Sequence, residues 1–338
     1  MLTKKQIIAK IRKKPAVIDA HCHVGIDPAT YLIGAFPYCM SVEDQVLRMR
    51  MFKIDFAAVF PLVYTEYFSL GAFRKGKFRR DPNSTSPFPY KHENSMLMRE
   101  LYEAFPQYAG TLLPFAFFDP GRRQKEQAAF INELAGNYPV FGIKTASSYL
   151  QSLVRDLLKK GTPLLDVAAD HNMALMLHSA VRPGDPWADV FDILKVARER
   201  PDVRVCIAHT CRFDRRALEM ASELENCFVD FSAFNIHCQL ARTNNPSIAP
   251  KKHRFPADYR DHAGAMQKIA EAYPDTMLWA TDTPGHYFMA RFIDDKGEEV
   301  WMNLYCNPET ETAEFRKMPA SIRRRISYTN TLRYLFGE

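Results

Sequence analysis

The sequence predicts an α/β protein built as a (β/α)8 barrel, and three observations carry that expectation. Eight short, continuously apolar runs alternate with helical patterns along the chain, as strands of a parallel sheet covered on both faces do. Polar residues of metal-binding type stand at the C-terminal ends of several of these runs, where such a barrel gathers its active site. No GxGxxG or P-loop turn follows the first run, although an open doubly wound sheet usually carries a glycine-rich phosphate turn there.

The first run, 16–20, is β-rich, and the Gly/Pro loop 25–37 leads from it to Ser41. Ser41 with Asp44 three residues on resembles a capping box, and Val42, Val46 and Met49 share one face of the helix it would start. The second run, 56–60, precedes a long insertion at about 62–93 holding Lys75, Lys77, Arg79, Arg80, Pro82, Pro87 and Pro89. Loops of that length are functional or disordered. A helix near 94–105 follows.

The alternation continues with strand 112–118 and helix 124–134, strand 140–144 and helix 164–171, strand 174–178 and helix 187–198, and strand 203–209 and helix 215–224. Strand 228–232 leads through a Pro/Asn-rich loop to helix 263–273. Strand 277–282 opens the last quarter, and 326–336 reads as a closing amphipathic helix, so residues 1–338 are expected to form one domain.

Composition narrows the function. Of 338 residues, 45 are Lys or Arg and 39 Asp or Glu, a net charge of +6 spread along the chain. Phosphate-backbone binding needs a clustered basic stripe, so no nucleic-acid partner is expected. No run of 18 apolar residues marks a membrane span, and the segment around Lys4, Lys5, Lys10, Arg12, Lys13 and Lys14 lacks the apolar core of a signal peptide. Seven cysteines, an odd number without a CxxC pair, read as reduced thiols of a cytoplasmic protein.

The chemistry sits where the strands end. The first closes in Asp19-Ala20-His21-Cys22-His23, the fourth in Lys144, the fifth in His178, the sixth in His209 and the eighth in Asp282. With a side-chain period of two, His21 and His23 project to one side with Cα atoms about 6.6 Å apart, so both imidazoles can reach one ion. A lone histidine at a strand end is more often a structural hydrogen-bonding residue. Here four of the ten histidines and one aspartate fall at the ends of four different strands. Asp19, two before His21, is read as a core hydrogen-bonding group on the same face, and His237 and His286 are left out of the ligand set.

Those residues carry a resemblance. The run Val17-Ile18-Asp19-Ala20-His21-Cys22-His23, then Met176-Leu177-His178, Ile207-Ala208-His209, Trp279-Ala280-Thr281-Asp282 and the terminal Asn330-Thr331-Leu332-Arg333-Tyr334-Leu335-Phe336 together resemble the amidohydrolase superfamily of metal-dependent TIM barrels. The likeness is to its amidohydrolase-related branch, which includes amino-carboxymuconate-semialdehyde decarboxylase. It implies that His21, His23, His178 and Asp282 bind a metal. It also implies that His209 positions and deprotonates the water or, in two-metal members, binds a second ion. In binuclear members a carboxylated lysine matching Lys144 bridges the metals. A free ammonium has no lone pair to offer, so a mononuclear centre is the expectation here, with Lys144 a substrate contact or a buried cation as in the mononuclear branch. One zinc per chain suits the donors best, with manganese, iron and cobalt also within their chemistry. A homodimer is in keeping with the family.

On that footing the expected activity is metal-dependent hydrolysis of a C–O or C–N bond in a small molecule. Asp282 or His209 would take the proton from the activated water, and His209 would stabilise the oxyanion. Arg182 and Arg212 follow His178 and His209 closely and are candidate contacts for an acidic substrate. Aromatic residues crowding the same loops, Tyr149 and Trp187 among them, suit a ring-containing one. The alternatives are a non-oxidative decarboxylase of a small carboxylic acid, and a metal-binding barrel without catalysis.

Overall fold

The computed structural model describes residues 2–27, 40–62, 69, 72, 81, 88–181, 185–284, 287–293, 298–305 and 308–337. Strands β1 (Ile18–Val24), β2 (Phe56–Pro61), β3 (Leu112–Phe117), β4 (Gly142–Thr145), β5 (Ala174–Leu177), β6 (Val205–Ile207), β7 (Cys227–Asp230) and β8 (Met277–Leu278) pair in sequence order, all in parallel. Closure comes from the segment after β8. Ala20 N–H donates to Trp279 O, Asp282 N–H to His21 O and His23 N–H to Thr283 O, laying 279–283 along β1. The (β/α)8 barrel that the alternation predicts is the fold.

Period two divides the strands between two apolar layers. Ile18, Ala20, Ala58, Phe60, Leu113, Phe115, Met176, Cys206, Phe228 and Leu278 form one buried cluster inside the barrel. Ala57, Val59, Leu112, Ile143, Leu175, Leu177, Val205, Ile207 and Val229 face outward into the helix-facing cluster. Ile7 and Ile11 of helix Lys4–Arg12 and Tyr334, Leu335 and Phe336 of helix Asn330–Phe336 join the inner cluster and plug its N-terminal end. The opposite end is left for chemistry.

Most helix boundaries lie within a few residues of the expected ones. Ser41 caps helix Val42–Met51 by accepting from Asp44 N–H, with Val42, Val46 and Met49 buried. Two readings need correction. The segment after β7 is not simply a loop, because helix Phe234–Arg242 begins there and buries Phe234, His237, Cys238 and Ala241 at helical spacing. After β8 an antiparallel ribbon, β9 (Tyr287–Ile293) with β10 (Glu299–Tyr305), also stands outside the eightfold alternation. The insertion at 62–93 falls largely outside the described residues, including Lys75, Lys77, Arg79 and Arg80. No helix among the described residues is long and apolar enough to cross a membrane.

Strand β4 passes close to its neighbours because Gly142 has no side chain. A Cβ there would lie 2.3 Å from Phe115 Cε2 and 2.6 Å from the Ala174 carbonyl oxygen, and the latter is backbone that cannot rotate away. Gly142→Ala is therefore expected to lower stability by about 1–3 kcal/mol through overpacking. Urea denaturation measures it, and an unchanged midpoint would mean that the barrel wall yields.

Candidate metal centre

A break in the alternation of β1 creates the site. Ile18 and Ala20 face the barrel interior whereas Cys22 lies in the helix-facing cluster, so the period of two fails between them. The β1–β2 register shifts at that point, between Asp19 and Cys22. Such an irregularity re-aims side chains, and here it turns both His21 and His23 inward. Asp19 falls on the other side. It accepts from His21 N–H, Thr281 N–H and Thr281 Oγ1 and pairs with Cys22, a buried structural carboxylate as expected but not on the face of the His21 ring.

The donor atoms of three residues converge. His21 Nε2 and His23 Nε2 lie 3.3 Å apart, and Asp282 Oδ1 lies 3.0 Å from the first and 3.2 Å from the second. Among the described residues this is the one group of three or more His, Cys, Asp or Glu side chains drawn together closely enough to hold an ion. Asp282 reaches it from a left-handed backbone conformation, φ 65°, fixed by its N–H on His21 O.

Asp230, at the end of β7, stands behind the His21 ring. Its Oδ2 lies 2.8 Å from His21 Nδ1, so the ring's proton is held on Nδ1 and the Nε2 lone pair faces Asp282 and His23. Its Oδ1 accepts from His209 N–H, Ser232 N–H and Ser232 Oγ. These donors and the His21 charge outweigh burial and hold its carboxyl below the usual range. The one mark Asp230 carries in the sequence is its strand-end place within run 228–232, and no histidine pattern accompanies it there. The donor set fits a divalent cation of intermediate softness: two imidazole nitrogens, that of His21 with its tautomer set by Asp230, one ionised carboxylate, and a second carboxylate behind them.

His209 and Arg212 stand on an unusual turn. Five consecutive non-glycine residues, His209, Thr210, Cys211, Arg212 and Phe213, have φ of 64°, 52°, 49°, 54° and 61°. L-residues lose about 1–2 kcal/mol each in that conformation. The turn is bound at both ends, by His209 N–H on Asp230 and by Phe255 N–H on Phe213 O, and Arg212 N–H closes it onto His209 O. With about three residues per turn, His209 and Arg212 emerge on one side.

There His209 Nε2 meets His178 Nδ1 at 2.9 Å, and Arg212 Nη2 meets His178 Nε2 at 2.8 Å. Arg212 also donates from Nε to Ser179 O at 2.6 Å and from Nη1 to His237 Nε2. Arg212, expected at the mouth as a carboxylate contact, is thus buried against protein acceptors. His178, implied as a fourth ligand, has both ring nitrogens engaged by other side chains. Lys144 is buried with Nζ 3.4 Å from His21 Nε2 and over the Phe60 ring, beside the triad. Tyr149 sets its ring edge-on to His178. Arg182 and His286 lie outside the described residues.

Burial dominates the electrostatics. It holds His178 and His209 well below the usual imidazole range, with Arg212 adding to the effect, and pushes His237 down to about 3 and His23 to about 4. Burial likewise brings Lys144 down to about 8. His21 is the exception. Burial and Lys144 lower it, but Asp230 and Asp282 together raise it above its ordinary value. Asp282, against the cost of burial, is kept ionised by His21 and His23.

A model of the amidohydrolase family matches residues 18–336. No curated protein matches the chain by sequence. Solved structures that it resembles include an amidohydrolase from Burkholderia multivorans with bound zinc, at TM-score 0.56 and 9% identity over 95% of this chain and 99% of that one. They also include 5-carboxyvanillate decarboxylase from Novosphingobium aromaticivorans with bound manganese, at 0.55 and 11% over 96% and 98%. Dihydroorotase from Campylobacter jejuni matches at 0.50 and 12% over 94% and 82%. At these identities the likeness is one of fold.

Two predictions follow from the geometry behind the ligands. Asp230→Asn should weaken metal binding about 10–100-fold by releasing the His21 tautomer, read by competition with a chromophoric chelator; equal affinities would remove Asp230 from the site. Because Asp230 and Asp282 make His21 take up a second proton, on Nε2, more readily than an ordinary imidazole, a cation bound at Nε2 must displace it. Apparent affinity should therefore fall as pH drops from about 8 to about 6, whereas a flat profile would mean that His21 is not a ligand.

Proposed function

The chain belongs to the amidohydrolase family and is an enzyme of that type, and from this premise we propose that it is a metal-dependent hydrolase acting on a C–O or C–N bond of a small molecule. The observation that carries the proposal is the meeting of His21 Nε2, His23 Nε2 and Asp282 Oδ1 beside His209, the proton-accepting histidine of the expected set. His21, His23 and Asp282 would hold one divalent cation per chain, best suited to be zinc, which would supply water activation toward a pKa of about 7 and polarisation of a carbonyl.

The protein's own groups then move the proton. Asp282 turns Oδ1 to the histidines and, ionised, can take a proton at Oδ2. His209 has Nδ1 against Ser232 O at 3.1 Å and Ser232 Oγ at 2.9 Å, and because that hydroxyl gives its own hydrogen to Asp230, both oxygens accept, which fixes the His209 proton on Nδ1 and leaves the lone pair on Nε2. That lone pair, which faces His178 at rest, is where the proton arrives. Once protonated, His209 becomes the donor that stabilises a developing oxyanion. The inward-facing apolar layer below, with Phe60 against both ligand imidazoles, keeps bulk water from beneath the site.

The proposal is tested by incubating metal-loaded protein with lactones and cyclic amides on one side and aromatic or β-keto acids on the other. Ring opening with acid release is the expected outcome. Carbon dioxide release without hydrolysis would overturn the hydrolase reading and assign decarboxylation on the same scaffold, and inertness toward both sets would overturn the proposed substrate class. His209→Asn should keep the metal and lower turnover about 10²-fold or more; full activity in that variant would remove His209 from the chemistry.

A further inference from the structure

The donor arithmetic around His178 conflicts with its use as a metal ligand. Arginine only donates, so the Arg212 Nη2 contact makes His178 Nε2 an acceptor. A neutral imidazole has one N–H, which must then sit on Nδ1, and there it meets His209 Nε2 as acceptor at 2.9 Å. His209 in turn has its proton on Nδ1, facing Ser232 O. Every hydrogen in the series from Arg212 to His178 to His209 to Ser232 has an acceptor, that of His209 Nδ1 reaching both Ser232 O and Ser232 Oγ. The single lone pair of His178 is the one Arg212 uses.

A metal on Nδ1 would require the proton to move to Nε2, where it would face the arginine's own hydrogens. A metal on Nε2 would require the arginine to leave. Arg212 is poorly placed to leave. It is 8% exposed, its Nε is on Ser179 O, and its Nη1 is on His237 Nε2, whose own proton is held by Ala233 O. Its backbone lies inside the left-handed turn, held by Ala249 N–H on Arg212 O.

We propose that Arg212 withholds His178 from the metal. The centre then has three protein ligands, His21, His23 and Asp282, while His178 serves as a hydrogen-bonded link that orients His209. Arg212 is a positioning residue, and the coordination place the family resemblance gives to His178 is left to water or substrate. The inference rests on the reading that the triad binds a divalent cation.

The test compares zinc affinity, by chelator competition, in the wild-type protein, His178→Ala and Arg212→Met, together with the side-chain 15N signal of His178. The expected results are about one zinc in His178→Ala with affinity within about threefold of wild type, about tenfold tighter binding in Arg212→Met as His178 becomes available, and a wild-type signal reporting the proton on Nδ1. Arg212→Lys, which keeps the charge but cannot span both histidines, should tighten binding in the same direction if Arg212→Met does not fold. A drop of about 100-fold in His178→Ala, or a zinc-loaded His178 with its proton on Nε2, would overturn the proposal. A wild-type protein that takes up no zinc would instead overturn the metal reading on which it rests.

Discussion

The buried carboxylate of Asp230 is the interaction on which the site depends. It sits at the end of β7 and reaches three other parts of the barrel mouth: the His21 ring from β1, the backbone of His209 after β6, and Ser232 in its own loop. A buried charge is costly unless fully hydrogen-bonded, and this one accepts two backbone N–H groups, a hydroxyl and an imidazole N–H. The same bonds fix the tautomer of the His21 imidazole and anchor a turn that L-residues resist.

That turn links fold to electrostatics. Because Asp230 holds its first residue, Arg212 comes out beside His209, and its guanidinium bonds to the half-buried His178, the buried His237 and the Ser179 carbonyl. A buried cation among neutral imidazoles works against protonating any of them and adds to burial in lowering His178, His209 and His237. On the other side of the site the carboxylates Asp230 and Asp282 favour positive charge at His21, the proton-loving member of the group. The centre is thus polarised, with a side that attracts a cation and a side that repels one.

The barrel arranges this asymmetry by closing one end. Terminal helices fill the N-terminal mouth with Ile7, Ile11, Tyr334, Leu335 and Phe336, and Phe60 lies under both β1 imidazoles. Polar groups that would be costly deeper down are confined to the opposite rim, where strand ends and loops can satisfy them.

The barrel itself, the His21–His23 pair, Asp282 and the strand-end positions of His178, His209 and Lys144 were legible in the chain, because apolar runs at regular intervals report buried parallel strands and their last residues report the rim. The sequence alone determined which chemical groups reach that rim. Their partners were decided by tertiary structure. The register shift that turns His21 and His23 inward, the left-handed run at 209–213, and the pairing of Arg212 with His178 and His237 depend on contacts between residues far apart in sequence. Strand periodicity carries no sign of a bulge, and nothing local marks a non-glycine segment for positive φ. Asp230 looks like any strand-end aspartate until folding brings His21 to it from 209 residues away.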